Sequence, residues 1–165
     1  LPAAHKMTTP GYQLLKAADI PVWHSPEGRA TVKVIAGRMG DVTAAVDTFT
    51  PIMFLHAVLQ PGATVDIPIP AEFQACAYVI EGAGTFGPEA QAARDGQVLS
   101  LSRNGDFLSL AAPESAEEPL SVLILGGQPL EEPVKTYGPF VMNTSRELIE
   151  AIEDYNAGKF GQINF

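Results

Sequence analysis

The stretch Gly62-Ala-Thr-Val-Asp-Ile-Pro68-Ile-Pro70-Ala-Glu-Phe-Gln-Ala75-Cys-Ala-Tyr-Val-Ile-Glu-Gly82 is closed by glycine at both ends. In front of it Phe54-Leu55-His56-Ala57-Val58-Leu59 is a short apolar strand that stops at the turn dipeptide Pro61-Gly62. At its far end Ala77-Tyr78-Val79-Ile80 runs into Glu81-Gly82-Ala83-Gly84. The same rhythm continues outward. Thr31–Ala36 alternates and stops at Gly37, and Gln97–Leu101 runs into Asn104-Gly105, a tight-turn signal. Phe107–Leu110 follows, then Leu120–Leu125, which Gly126-Gly127 is expected to close. Short strands at regular spacing with Gly and Pro between them predict an all-β sandwich or barrel. No long helices alternate with the strands, which argues against a doubly wound parallel sheet.

The tail changes period. Thr144-Ser-Arg-Glu147 is a capping box, in which Thr144 accepts from the Glu147 backbone and the Glu147 side chain reaches back. Leu148, Ile149, Ile152 and Tyr155 then share one helical stripe, and Gly158 suits a left-handed stop. One amphipathic helix is predicted over about residues 145–157.

With 165 residues, the chain is expected to form one domain. No apolar run is long enough to span a bilayer, and no signal peptide is visible. The first residue is Leu1 rather than Met, as in a fragment, a processed chain or a trimmed one. The single cysteine, Cys76, cannot form an internal disulfide. It is expected to be a buried, inert thiol in a cytoplasmic protein. The net charge is −9, of which −7 falls between Glu114 and Asp154. An acidic chain repels phosphate, so direct nucleic-acid binding is not expected.

The spacing of the framed stretch resembles the first cupin motif, which runs Gly, five residues, His, one residue, His, three or four residues, Glu, six residues, Gly. Gly62 and Gly82 stand where that motif has its glycines. Its ligand positions hold Pro68, Pro70 and Ala75. In the second cupin motif the last His follows a glycine by three residues, which places Leu108 there, counted from Gly105. None of the four side chains can donate an electron pair to a metal. The sequence therefore predicts an apolar interior where a cupin would hold its ion.

Two further segments resemble the pirin family. Tyr137-Gly-Pro-Phe140-Val-Met-Asn143-Thr, with Asp154-Tyr155-Asn-Ala-Gly158-Lys-Phe160-Gly161, is similar to the family's C-terminal signature. Leu125-Gly-Gly-Gln-Pro129-Leu-Glu-Glu-Pro133 is similar to its approach to that signature. At the other end Leu1-Pro2-Ala3-Ala4-His5-Lys6-Met7, then Pro10 and Tyr12-Gln13, resembles the segment joining the two halves of a pirin.

The resemblance implies a bicupin whose C-terminal barrel is this chain: a cupin double-stranded β-helix, or antiparallel jelly roll, with one C-terminal α-helix. It implies one pirin-type cupin domain over 1–165, with 1–12 an interdomain linker and 137–165 a tail. Iron or another divalent metal would be held by three His and one Glu in an N-terminal barrel upstream, so no metal, cofactor or catalytic residue is assigned to this chain. Tyr137, Phe140, Met142 and Phe160 would contact that N-terminal half, or else cap this barrel's own open end.

The remaining chemistry is sparse. His5 falls in the expected linker, His24 in a loop and His56 in an apolar strand, with no ligand spacing among them. His56 reads as a hydrogen-bonded or partly exposed strand residue. The pairs Glu117-Glu118 and Glu131-Glu132 read as solvated loop acids. Three functions remain open. The chain is the inactive half of a protein resembling metal-dependent quercetin 2,3-dioxygenases. It is alternatively a regulatory module that contacts protein partners. Less specifically, the emptied barrel takes a small apolar or sugar-like ligand.

Overall fold

Alternation of apolar and polar residues puts one face of each strand in the core, and the architecture follows from that period of two. The computed structural model describes residues 1–9 and 11–161. Pro10 and residues 162–165, parts of the expected linker and tail, lie outside the described residues.

The contacts group the chain into two compact units. The larger unit, Gly11–Pro129, contains twelve strands. They are β1 (Val22–His24), β2 (Ala30–Ala36), β3 (Arg38–Met39), β4 (Val42–Thr43), β5 (Ile52–Leu59) and β6 (Thr64–Pro68). Then come β7 (Gln74–Glu81), β8 (Ala83–Phe86), β9 (Gln91–Arg94), β10 (Val98–Ser100), β11 (Phe107–Ala111) and β12 (Leu120–Gly127). A six-stranded sheet has the order β1-β2-β5-β12-β7-β10, and a four-stranded sheet the order β6-β11-β8-β9. Every pairing is antiparallel. Sequence neighbours often lie in different sheets, as β5 and β6 do, which is the jelly-roll pattern.

The core lies between the sheets. Val32 and Val34 from β2, Leu55 and Leu59 from β5, Val79 from β7 and Ile124 from β12 are buried on one side. Ile67, Phe86 and Leu110 come from the other sheet. Each contributes roughly 1.5–3 kcal/mol on leaving water.

Three local features differ from the sequence expectation. The strand ending at Leu125 does not stop at Gly126-Gly127; both glycines belong to β12 and pair with β5 and β7. The absence of a side chain is what admits the strand there, since a Cβ on Gly126 would lie 3.1 Å from the Ala75 Cβ. His24, expected in a loop, is the exposed last residue of β1. The β8–β9 hairpin carried too little apolar alternation to be read: its buried residues are Gly84, Phe86 and Ala93.

The smaller unit comprises Leu1–Pro10 and Leu130–Phe165. It holds the hairpin β13 (Lys135–Tyr137) and β14 (Phe140–Met142), and the helix α1 (Ser145–Asn156). The capping box forms as expected: Glu147 N donates to Thr144 Oγ1 (3.2 Å), and Thr144 N donates to Glu147 Oε2 (2.7 Å). Gly158 follows the helix at φ +73°. The buried stripe is narrower than expected. Leu148 and Ala151 are buried, whereas Ile149 and Tyr155 are exposed. The chain's first residues share this unit: Ala3 N donates to Glu132 Oε2 (2.8 Å) and Lys6 Nζ to the Val141 carbonyl (3.2 Å).

Candidate functional site

In a cupin the metal sits inside one end of the barrel, so the side chains that face inward there decide what chemistry is open. On β6 the buried residues are Val65 and Ile67, with Thr64, Asp66 and Pro68 exposed. Ile69 packs against the core and Pro70 is exposed. The register agrees, since Ile67 stands opposite buried Leu108 while Pro68 stands opposite exposed Phe107. This corrects the spacing argument by one residue. Pro68 and Pro70 do not face the interior; Ile67 and Ile69 do. The prolines fit where they are because β6 is a sheet edge. The Ile69 N–H bonds inward to the Asp106 carbonyl (2.8 Å), and the proline nitrogens face the unpaired side, where no donor is needed.

The other two positions do face inward. Ala75 and Leu108 are buried and line a hollow of about 380 Å³ at the barrel end, with Ile69, Phe86, Leu99 and Leu101. The inward set is thus Ile67, Ile69, Ala75 and Leu108. Hydrocarbon side chains have no lone pairs, and a divalent cation needs several N, O or S donors. Among the described residues no three His, Cys, Asp or Glu side chains stand close enough together to hold a metal ion. This barrel end does not fit the family's metal.

The titratable residues lie elsewhere. His56 is half-buried on the outer face of the six-stranded sheet, with Nε2 2.9 Å from Ser121 Oγ. Burial pulls it below the usual histidine range, and the Lys33 ammonium on the neighbouring strand adds to this. Cys76 is half-buried rather than buried, because alternation turns Ala75 and Ala77 into the core and Cys76 to that same outer face. Glu132 is not a simple solvated acid. Its Oε2 accepts from both Ala3 N and Asn143 Nδ2 (2.9 Å), tying the first residues to the tail.

Two exposed apolar surfaces stand out, each within its own unit. On the six-stranded sheet the register aligns His56, Leu123, Tyr78 and Val98 in one row across four strands, and Phe54, Leu125 and Cys76 in the next. Val98 is 63% exposed and Leu125 38%. Sequence reasoning missed this face because β5, β7 and β12 carry apolar residues at outward as well as inward positions; the row exists only once four strands are in register. In the tail unit Phe140, Tyr155 and Phe160 form an aromatic cluster with ring centroids 5.9–6.3 Å apart. Of the residues expected at an interdomain contact, Tyr137 (66%) and Phe160 (51%) are exposed, and Phe140 and Met142 are half-buried.

Residues 54–161 match the family model of the pirin C-terminal cupin domain. The chain belongs to the pirin family. It is 37% identical over 161 residues to a pirin-like protein of Solanum lycopersicum, covering 98% of this chain and 54% of that one. It is 36% identical over 162 residues to human pirin, again covering 98% of this chain and 54% of the relative. A crystal structure of a quercetin 2,3-dioxygenase from Acinetobacter baumannii superimposes with a TM-score of 0.87 at 40% identity, covering 99% of this chain and 55% of that one. The chain therefore has the cupin fold of the pirin C-terminal domain, and it spans about half the length of the relatives it matches. Among the described residues no helix is long and apolar enough to cross a membrane.

Proposed function

We propose that this chain is the non-catalytic C-terminal barrel of a two-barrel pirin-type protein, and that it supports a metal-bearing N-terminal barrel with quercetin 2,3-dioxygenase-like activity. The observation that carries this reading is the hydrocarbon lining at Ile67, Ile69, Ala75 and Leu108, where a catalytic cupin needs donors. The similarity to a quercetin 2,3-dioxygenase supports the activity assigned to the parent protein. The apolar outer face of the six-stranded sheet and the exposed aromatic tail support a docking role. The chain's own residues then contribute burial and positioning, and none moves a proton or electron in the reaction.

The test uses the 165-residue chain alone. After gel filtration from iron, copper or nickel it should retain no stoichiometric metal, and it should consume no oxygen with a flavonol. About one metal per chain, or flavonol-dependent oxygen uptake, overturns the proposal. The exposed aromatic cluster favours a second reading, a regulatory module that contacts other proteins. Oxygen uptake with a flavonol by the two-barrel protein supports the first reading. Its absence, together with specific capture of a protein partner that is lost on deleting residues 137–165, supports the second.

A further inference from the structure

A second hollow of the barrel unit opens beside the degenerate cupin site and shares Ile69, Pro70, Ala71 and Phe73 with it. It is a cleft of about 830 Å³, within the range of small-molecule pockets. One wall is the β3–β4 region with the segment that follows it; the other is the Pro68–Phe73 segment and Asp106. Buried Met53 and Phe73, with Ile52 and Ile69, give it an apolar lining. The first wall is braced rather than loose: the Gln13 side chain donates to the Asp47 carbonyl (2.9 Å) and accepts from the Asp47 N–H (3.2 Å).

The charges around this lining are unbalanced. Asp47, Glu72 and Asp106 line the cleft, and among the described residues their carboxylates take no hydrogen bond or ion pair. Arg38, the one cation among the lining residues, is turned to its own hairpin, with Nε and Nη2 both donating to the Gly40 carbonyl, and Arg103 Nη2 donates to the Glu72 backbone carbonyl (3.4 Å) rather than to its carboxylate. An apolar floor edged by three carboxylates complements a molecule with a hydrocarbon body and a positive end. The geometry points to this cleft as a binding site for small organic cations, an aryl- or alkylamine being the simplest form. The site is independent of the docking role proposed above, since it uses neither the outer rows of the six-stranded sheet nor the aromatic tail.

The probe is phenethylamine, with 2-phenylethanol as its uncharged counterpart, each titrated into the 165-residue chain and followed by backbone amide NMR. The amine should shift resonances of residues 37–53 and 68–73 saturably at one site. The alcohol should bind at least about tenfold more weakly. Glu72→Gln combined with Asp106→Asn should weaken the amine by about tenfold, with the melting temperature unchanged because both residues are exposed. Filling the cleft with Ile69→Trp should abolish the shifts. Non-saturable shifts, equal binding of the alcohol, shifts confined to the hollow around Leu99 and Leu101, or indifference to the Glu72 and Asp106 changes would each overturn the assignment.

Discussion

At the scale of single residues, the two glycines that frame Gly62–Gly82 are backbone requirements. Both have left-handed φ, +74° and +79°. At Gly82 a Cβ would also lie 2.7 Å from the Pro119 carbonyl oxygen, a backbone atom that cannot step aside. Gly82→Ala should therefore cost about 2 kcal/mol or more, read as a lowered denaturant midpoint with unchanged slope. His56 makes a second prediction. Its ordinary pKa is 6.5 and its folded value is lower. Below pH 6.5 the unfolded chain binds the proton more readily than the folded one, so stability falls with pH from there and levels off beneath the folded value. Melting temperatures followed from pH 7.5 to 5 should drop less in His56→Gln than in the parent. An identical slope in both would show that His56 is not the group responsible. The histidine's presence in a strand was legible, but its partner was not: Ser121 is 65 positions away and arrives only through the β5–β12 pairing.

At the scale of elements, local signals were sufficient wherever a few adjacent residues set the geometry. The capping box and Gly158 bounded α1 to within a residue. Hydrogen bonding by Thr144 is the main cause of the lowered Glu147 pKa, and the Asn143 N–H adds to it. The stability this contributes is present above the ordinary value of 4.5 and is lost as pH falls through the lower folded value. Thr144→Ala should cost about 1 kcal/mol of stability in the tail unit and return the Glu147 carboxyl toward its ordinary titration, which carbon-detected NMR would follow. Strand ends were harder to place. Gly126 and Gly127 look like a stop in sequence and act as a close-approach strand in space. The inward phase of β6 was missed for a related reason. A motif spacing counts residues, whereas the pleat is set by which strand the segment pairs with, and here β11 sets it one residue away from the count.

At the scale of the whole molecule, the outer-face rows His56–Leu123–Tyr78–Val98 and Phe54–Leu125–Cys76 make the docking proposal specific. Tyr78→Glu combined with Leu125→Glu places charges on partly exposed positions. It should leave the isolated chain folded by circular dichroism and abolish its co-purification with the N-terminal half of a pirin. Undiminished co-purification would move the contact to the tail surface around Tyr137 and Phe160. The sequence alone determined the all-β class, the capped C-terminal helix, the pirin resemblance and the lack of metal-donor residues at the cupin positions. These rest on local periodicity, caps and residue chemistry, all readable along the chain. Only the tertiary structure decided that Ile67 and Ile69 take the inward places of Pro68 and Pro70. It also decided that four strands align an apolar outer face, and that Asp47, Glu72 and Asp106 edge one cleft. Those features depend on register and on distant segments meeting, 67 positions apart for His56 and Leu123 and 59 for Asp47 and Asp106, and no local stretch of sequence encodes such a meeting.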